Sequence, residues 1–352
     1  MRAVRFDAFG AAPYIADVDD PVPPEDGVVI DVSATGLCRS DWHGWQGHDP
    51  DITVLPHVPG HEFAGVVSAV GRDVRRWRVG DRVTVPFICS CGTCGYCLVG
   101  DGQVCPDQWQ PGFSGPGSFA ERVAIPRADA NLVALPDAVD DATAASLGCR
   151  FATAYRAVRH VARVQPGEVV AVLGCGGVGL SAVMVAVASG AMVIAVDVHP
   201  GAREQATALG AAAVIDPATG DVAGQVRTFA PGGADVGIDA LGSAVTAAAS
   251  VASLRPRGRH VQVGLLPPAV VRGTETIPMH LVVSRELAVL GSHGMAAAGY
   301  PQMLAEIAAG TMRPAALVAR TIGLESLPGA LAAMGAAHPP GVTVCLPRSD
   351  AR

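Results

Sequence analysis

A chain of 352 residues exceeds what one hydrophobic core supports and implies two domains; half of it is hydrophobic and 16% charged, enough apolar material to fold without obligatory disulfides. A formal net charge of −7 gives no overall electrostatic reason to seek nucleic acid or an anionic membrane, and neither partner is expected. All 25 basic residues are arginine, and the missing lysine excludes a lysine Schiff base, a P-loop lysine and a Tyr-x-x-x-Lys pair.

The first residues, MRAVRFDAFG, lack the continuous apolar stretch of a signal peptide, which predicts a cytoplasmic protein. From Met1 to about Arg150, short β-prone runs at 27–34, 63–70 and 81–85 alternate with Gly and Pro and predict an antiparallel β domain. After Gly148 the pattern changes to strands at 169–173, 192–196, 213–215, 235–239, 260–263 and 287–291, with alanine-rich helical segments between most of them. That alternation predicts a doubly wound parallel sheet, which binds dinucleotides at its topological switch point. The segment from about Gly291 is too short for its own core and is expected to return to the first domain. The expected domains are therefore 1–151 with 291–352, and 152–290. Val169 to Val196 contains no charge and is long enough to span a bilayer. Its glycine cluster between β-rich runs predicts a buried strand-turn-helix-strand unit instead.

Three segments place a metal-ligating side chain beside glycine: GLCRSDWHG (36–44), PGHEFAG (59–65) and SLGCRF (146–151). Cys38, His61 and Cys149 would supply two thiolates and one imidazole to zinc, leaving a fourth position for water or an alcohol oxygen. Singly, Cys149 reads as a small core residue and His61 as a turn histidine. Their combination with the two motifs that follow reverses that preference.

Cys91, Cys94, Cys97 and Cys105 form C-x2-C-x2-C-x7-C among glycines, a pattern suited to one closed tetrahedral zinc. The lack of an export signal argues against disulfides, while spacing alone also admits an iron–sulfur cluster. Cys89 is out of phase and reads as a spare thiol.

VVAVLGCGGVGLSAV sets Gly174, Gly176 and Gly179, with Gly177 between them, directly after a predicted strand and at the start of a helix. This is the dinucleotide fingerprint, with the pyrophosphate at the helix N-terminus. Asp197 closes the second strand, 23 residues after Gly174, where a carboxylate binds the adenosine ribose and repels the extra phosphate of NADP. NAD is the expected cofactor.

These motifs together resemble the zinc-containing medium-chain alcohol dehydrogenases, over essentially the whole chain. The resemblance implies a GroES-like antiparallel catalytic domain beside a Rossmann domain, two zinc ions per chain, NAD(H), and a homodimer or homotetramer. It assigns catalytic zinc to Cys38, His61 and Cys149, with Glu62 beside the ion and able to exchange with its water. Asp41 would orient His61. Ser40 and His43 would carry the proton away, Arg39 would meet the pyrophosphate, and Val178 and Thr153 would lie near the nicotinamide. Gly264, Leu265 and Ser292 would line the cofactor channel. The chain departs from relatives at Ala202, where a basic residue is common, and at Gly341-Val342, where relatives often carry Gly-Arg.

Trp42, Trp45, Phe87, Trp109, Phe113 and Leu265 cluster in sequence around the metal-site segments and suggest a bulky, apolar substrate; by the resemblance Phe87 and Leu265 fall at pocket positions, whereas the tryptophans serve equally well as core or interface anchors. The N-terminal half most resembles bacterial enzymes of aromatic, furan-type and aliphatic aldehydes. The expected reaction interconverts a primary alcohol and its aldehyde with NAD(H). Other readings are a dehydrogenase of secondary alcohols or polyols, a silent NAD(H)-binding zinc redox sensor, or a structural member of the fold. An open three-ligand site argues against the inert readings.

Overall fold

The computed structural model describes residues 1–266, 276–335 and 341–348. It divides into two compact units, one of Met1–Ala152, Gly294–Gly310 and Pro314–Arg352, the other of Thr153–His293 and Thr311–Arg313.

The first unit is organised around strand Val28–Leu37, whose long apolar run is buried on both faces. It pairs antiparallel with Glu62–Val70, Arg122–Ile125 and Val342–Leu346. Arg82–Thr84 and Val133–Ala134 continue the sheet beyond Glu62–Val70. One pair departs from the expected antiparallel pattern: Val318–Gly323 runs parallel to Val342–Leu346. A parallel pair needs a crossover, and helix Leu327–Ala333 lies between the two in the chain. Leu324, Leu327 and Leu331 bury their apolar side chains in a cluster with Phe6, Trp45 and Phe119.

The second unit contains a six-stranded parallel sheet in the order Ala213–Ile215, Met192–Val196, Val169–Leu173, Ala234–Asp239, Leu254–Gln262, Ala288–Gly291. In chain order this is 3-2-1-4-5-6, the dinucleotide-binding arrangement. The expected strand at 260–263 is the end of a longer one. The residues before it, LRPRGR, carry Pro256, Gly258 and Arg257 at φ 61°, which obscure a strand in the sequence; the ladder absorbs them through a register shift. The uncharged stretch 169–196 is strand Val169–Leu173, helix Gly177–Ala188 and strand Met192–Val196. Among the described residues no helix is long and apolar enough to cross a membrane.

Candidate metal and cofactor sites

Strand register builds the first site. Gly36 pairs with Glu62, so Cys38, just past the end of one strand, and His61, just before the start of the other, emerge at the same edge of the sheet. Cys149 arrives on a π-helical turn, Leu147–Phe151, a geometry that widens the backbone where a side chain must be re-aimed. Phe87 N–H and the Tyr300 hydroxyl both donate to the Gly148 carbonyl, at 3.3 and 3.1 Å, and pin that turn. Ligand atoms of Cys38, His61 and Cys149 lie within 4.8 Å of one another.

Asp41, itself buried, orients two of the three. Its Oδ1 accepts from His61 Nδ1 at 2.7 Å and from Gly60 N–H at 3.1 Å, while Oδ2 accepts from Cys38 N–H at 2.9 Å. With Nδ1 committed, Nε2 is the free ring nitrogen, and it is buried with no hydrogen-bond partner. A buried ring nitrogen left unsatisfied beside two thiols fits a metal ligand and makes little sense otherwise. The hydrogen bond from the Cys149 thiol pushes the pKa of Cys38 well down and that of Cys149 well up.

Glu62 is fully buried but stands outside this three-atom cluster. Its Oε1 accepts from the backbone N–H groups of Cys149 and Arg150 and from Arg150 Nε, at 3.2, 3.0 and 3.1 Å, and its Oε2 from Arg150 Nη2. Burial pushes the Glu62 pKa up, and the Arg150 guanidinium opposes that shift. Arg150 was not among the sequence candidates; its partner Glu62 lies 88 residues away in the chain.

Ser40 Oγ lies 3.8 Å from Cys38 Sγ. His43 faces the exposed side of helix Arg39–Trp45 and pairs Nδ1 to Nδ1 with His48 at 3.0 Å. Desolvation, then the charges of Arg39 and His48, push the His43 pKa below its ordinary value. Arg39 lies over the Trp42 ring at 4.6 Å and donates to the Met334 carbonyl. Phe113 and Phe87 flank the His61 ring, at 5.2 and 6.2 Å between centroids. The tryptophans do other work: Trp45 donates to Ala11 O within a core cluster that Trp42 packs against, and Trp109 packs beside Cys89.

In the quartet, the sulfurs of Cys91 and Cys97, Cys94 and Cys97, and Cys94 and Cys105 are 3.8, 3.5 and 3.8 Å apart. A tetrahedron with metal–sulfur bonds of about 2.3 Å has edges of about 3.8 Å, so the four thiols fit one zinc and are too far apart for disulfides. Backbone N–H groups of Cys94 and Cys91 point at the sulfurs of Cys91 and Cys105. Hydrogen bonds from Thr93 lower Cys91 to about 6, easing loss of its proton to a metal. Cys89 sits apart in the apolar core, its thiol pKa pushed up by burial. A cleft of about 880 Å³ beside this quartet, lined by Trp77, Cys91, Arg127 and Ala297 among others, includes no triad residue.

In the second unit, Gly174 takes φ 87°, and a Cβ there would come within 2.9 Å of Leu241 Cβ. A Cβ on Gly179 would run into the Gly174 carbonyl, whereas one on Gly176 would meet nothing. The fingerprint thus has two packing glycines and one facing open space, where a phosphate could approach the backbone. Gly177 and Val178 open the helix behind it. Asp197 Oδ2 accepts from Cys175 N–H at 2.7 Å and Oδ1 from His199 N–H at 2.8 Å, which ties the acid to the glycine turn. Ala202 is buried, and Arg203 folds back to the Asp197 carbonyl at 2.6 Å and to Asp216 at 3.0 Å. Thr153 is buried at the start of this unit, Leu265 is exposed, and the buried Ser292 Oγ has no partner. Gly264 accepts from Gln262 Nε2 at 2.7 Å. Val342 is buried in the first unit's sheet, where it serves packing.

Comparison with known proteins gives these sites a family. Residues 24–137 match the alcohol dehydrogenase GroES-like domain, and residues 177–309 the zinc-binding dehydrogenase family. An alcohol dehydrogenase of Geobacillus stearothermophilus is 35% identical over 83% of this chain and 84% of its own. A solved NAD-dependent alcohol dehydrogenase superposes with a TM-score of 0.88 at 30% identity, covering 98% of this chain and 99% of that one. A Sinorhizobium meliloti 1021 protein solved with NADP bound matches equally well, with a TM-score of 0.88, 30% identity and the same coverage. Two thiol-rich donor sets of zinc geometry and a dinucleotide fingerprint accompany this similarity, and the chain belongs to the zinc-dependent medium-chain alcohol dehydrogenases.

Proposed function

We propose that the chain interconverts a primary alcohol and its aldehyde, with a preference for bulky, apolar substrates and for NAD(H). The observation that carries this reading is the buried, partnerless Nε2 of His61 beside two thiols, with Asp41 fixing the other ring nitrogen. Cys38, His61 and Cys149 would hold the catalytic zinc, the cysteine quartet a structural one, and the second unit the cofactor. When bound, zinc supplies Lewis acidity to the substrate oxygen and the nicotinamide takes up or gives hydride.

The chain's own groups do the rest. Asp41 keeps His61 in the tautomer that leaves Nε2 bare. Ser40, beside Cys38, would relay the substrate's hydroxyl proton, releasing its own as it accepts, and His43, paired with His48, would be the acceptor at the outer end of the relay. A His43 pKa below the ordinary range keeps that ring neutral and able to accept the proton at neutral pH. Phe87 and Phe113 flanking His61 support an apolar substrate. Asp197, held by two backbone N–H groups, supports NAD, since Arg203 is already paired and offers no partner to a ribose phosphate.

The test is a panel of aromatic, furan-type, aliphatic, secondary and polyol alcohols with NAD and NADP, with zinc measured on the same protein. A kcat/KM at least about tenfold higher for primary aromatic alcohols with NAD supports the reading. Preference for polyols or for NADP overturns its substrate or cofactor arm.

A further inference from the structure

The Glu62–Arg150 pair is buried beside a metal-ligand set to which Glu62 does not contribute. A carboxylate next to His61 in sequence, its Oε1 touching the backbone N–H of Cys149, could join an ion held by the triad. In this chain it is saturated instead. Oε1 takes three N–H donors and Oε2 takes the guanidinium, which grips both oxygens in a planar fork. The cavity for the pair is built on purpose-sized neighbours: a Cβ on Gly36 would lie 2.8 Å from Glu62 Oε2 and 3.1 Å from Arg150 Nη2. Cys149 and Arg150 ride on the same π-turn, so one backbone feature aims the thiol at the triad and the guanidinium at the glutamate.

We infer that Arg150 is a positioning latch that withholds Glu62 from the metal and so keeps the triad's fourth position open for the substrate oxygen. This rests on the proposed reading of Cys38, His61 and Cys149 as the working metal site. A purely structural role, bracing the turn that carries Cys149, makes the opposite prediction for metal retention when Arg150 is removed.

The experiment uses full-length protein with cobalt(II) exchanged into the triad and zinc left in the quartet. In Arg150→Met the freed Glu62 should coordinate. The cobalt d–d bands should shift without added ligand, about tenfold more imidazole should be needed to move them further, and metal release to a chelator should slow by about tenfold. Glu62→Gln added to Arg150→Met should reverse all three changes. Unchanged bands with release accelerated about 10- to 100-fold would mean a brace and overturn the latch. So would changes that survive Glu62→Gln. If Arg150→Met does not fold, Arg150→Lys carries the test, because it keeps the charge and loses the fork: smaller shifts in the same direction support the latch, and unchanged bands overturn it. A Cys38→Ser protein that still holds the exchangeable cobalt would instead overturn the metal site itself.

Discussion

Asp41 and His61 form a buried pair in which the carboxylate accepts the imidazole Nδ1–H at 2.7 Å while its other oxygen holds the Cys38 backbone at 2.9 Å. One side chain thus sets the direction of two donors from different strands' ends. Asp41→Asn keeps the volume and removes the charge that favours this tautomer. Zinc affinity at the triad should fall about 10- to 100-fold while the quartet keeps its ion, measured by metal content after graded chelation. Equal retention at both sites would show that Asp41 does not support the triad.

The quartet should behave differently, since its four sulfurs close a shell with no position for substrate. Two zinc ions per chain are expected, and Cys97→Ser should lose the slowly exchanging one. The variant should unfold several degrees lower, given that domains of 150–250 residues shift by about 2–4 °C per kcal/mol. Full metal content and an unchanged Tm in Cys97→Ser would contradict a structural ion.

The fingerprint glycines allow a sharper contrast. Gly179→Ala drives a methyl into the Gly174 carbonyl and should destabilise the second unit by about 3 kcal/mol or more, because neither backbone can yield. Gly176→Ala meets open space at an ordinary backbone angle, so stability should stay within about 0.5 kcal/mol. Its cost should appear in dinucleotide binding, at least about tenfold in Kd or 1.4 kcal/mol. Thermal melts and NADH fluorescence titrations on both variants separate the two. Normal NADH affinity in Gly176→Ala would place the phosphates elsewhere.

Asp197→Asn tests cofactor choice with little change of shape, because the amide oxygen can still accept one of the two backbone N–H groups. Losing the negative charge should raise the NADP to NAD ratio of kcat/KM by about tenfold or more. The gain should be limited, since Arg203 remains bound to Asp216. A wild type that already favours NADP would remove the role from Asp197.

Local patterns made the ligands legible: Cys38, His61, the quartet and the glycines each sit in short motifs whose spacing is set by the chemistry. Interactions between distant segments were not. Arg150 finds Glu62 across 88 residues, a pairing that only strand register and the π-turn create. The parallel pair at Val318–Gly323 needs a crossover that no single segment announces. For the tryptophans near the metal motifs the sequence left pocket, core and interface roles open, because sequence proximity hides which way a side chain faces; Trp45 lies in a core cluster that Trp42 packs against. Asp239, Ser250 and the pair His260 and Gln262 went unnoticed because they lie on three different elements and form a chain only after folding.

That chain makes the last prediction. Gln262 Nε2 donates to Asp239 at 2.9 Å and to the Gly264 carbonyl at 2.7 Å, so its Oε1 must accept, and the Nε2 of His260 at 3.1 Å must carry the hydrogen. His260 Nδ1 is then bare and accepts from Ser250 at 2.8 Å. Asp239 in turn holds the Leu241 and Gly242 N–H groups at 3.0 Å, so the network ties down the loops around Gly174 and Gly264. A second proton could enter only at Nδ1, reversing Ser250 and leaving a charge in a fully buried site. Burial accordingly lowers the His260 pKa, although Gln262 and Asp239 oppose it. The unfolded chain titrates this histidine at about 6.5. Between that value and the lower folded one the unfolded state binds more protons, so stability is constant above the window and falls as pH drops through it. Buried His57 shifts in the same direction and adds to the effect. Melting temperatures with saturating zinc at about pH 7.5 and about pH 5.5 should fall on acidification in the wild type. His260→Gln keeps a donor but cannot be protonated; it should melt lower at the higher pH and lose less on acidification. An identical acid loss in both proteins would exclude His260 as a source of the pH dependence.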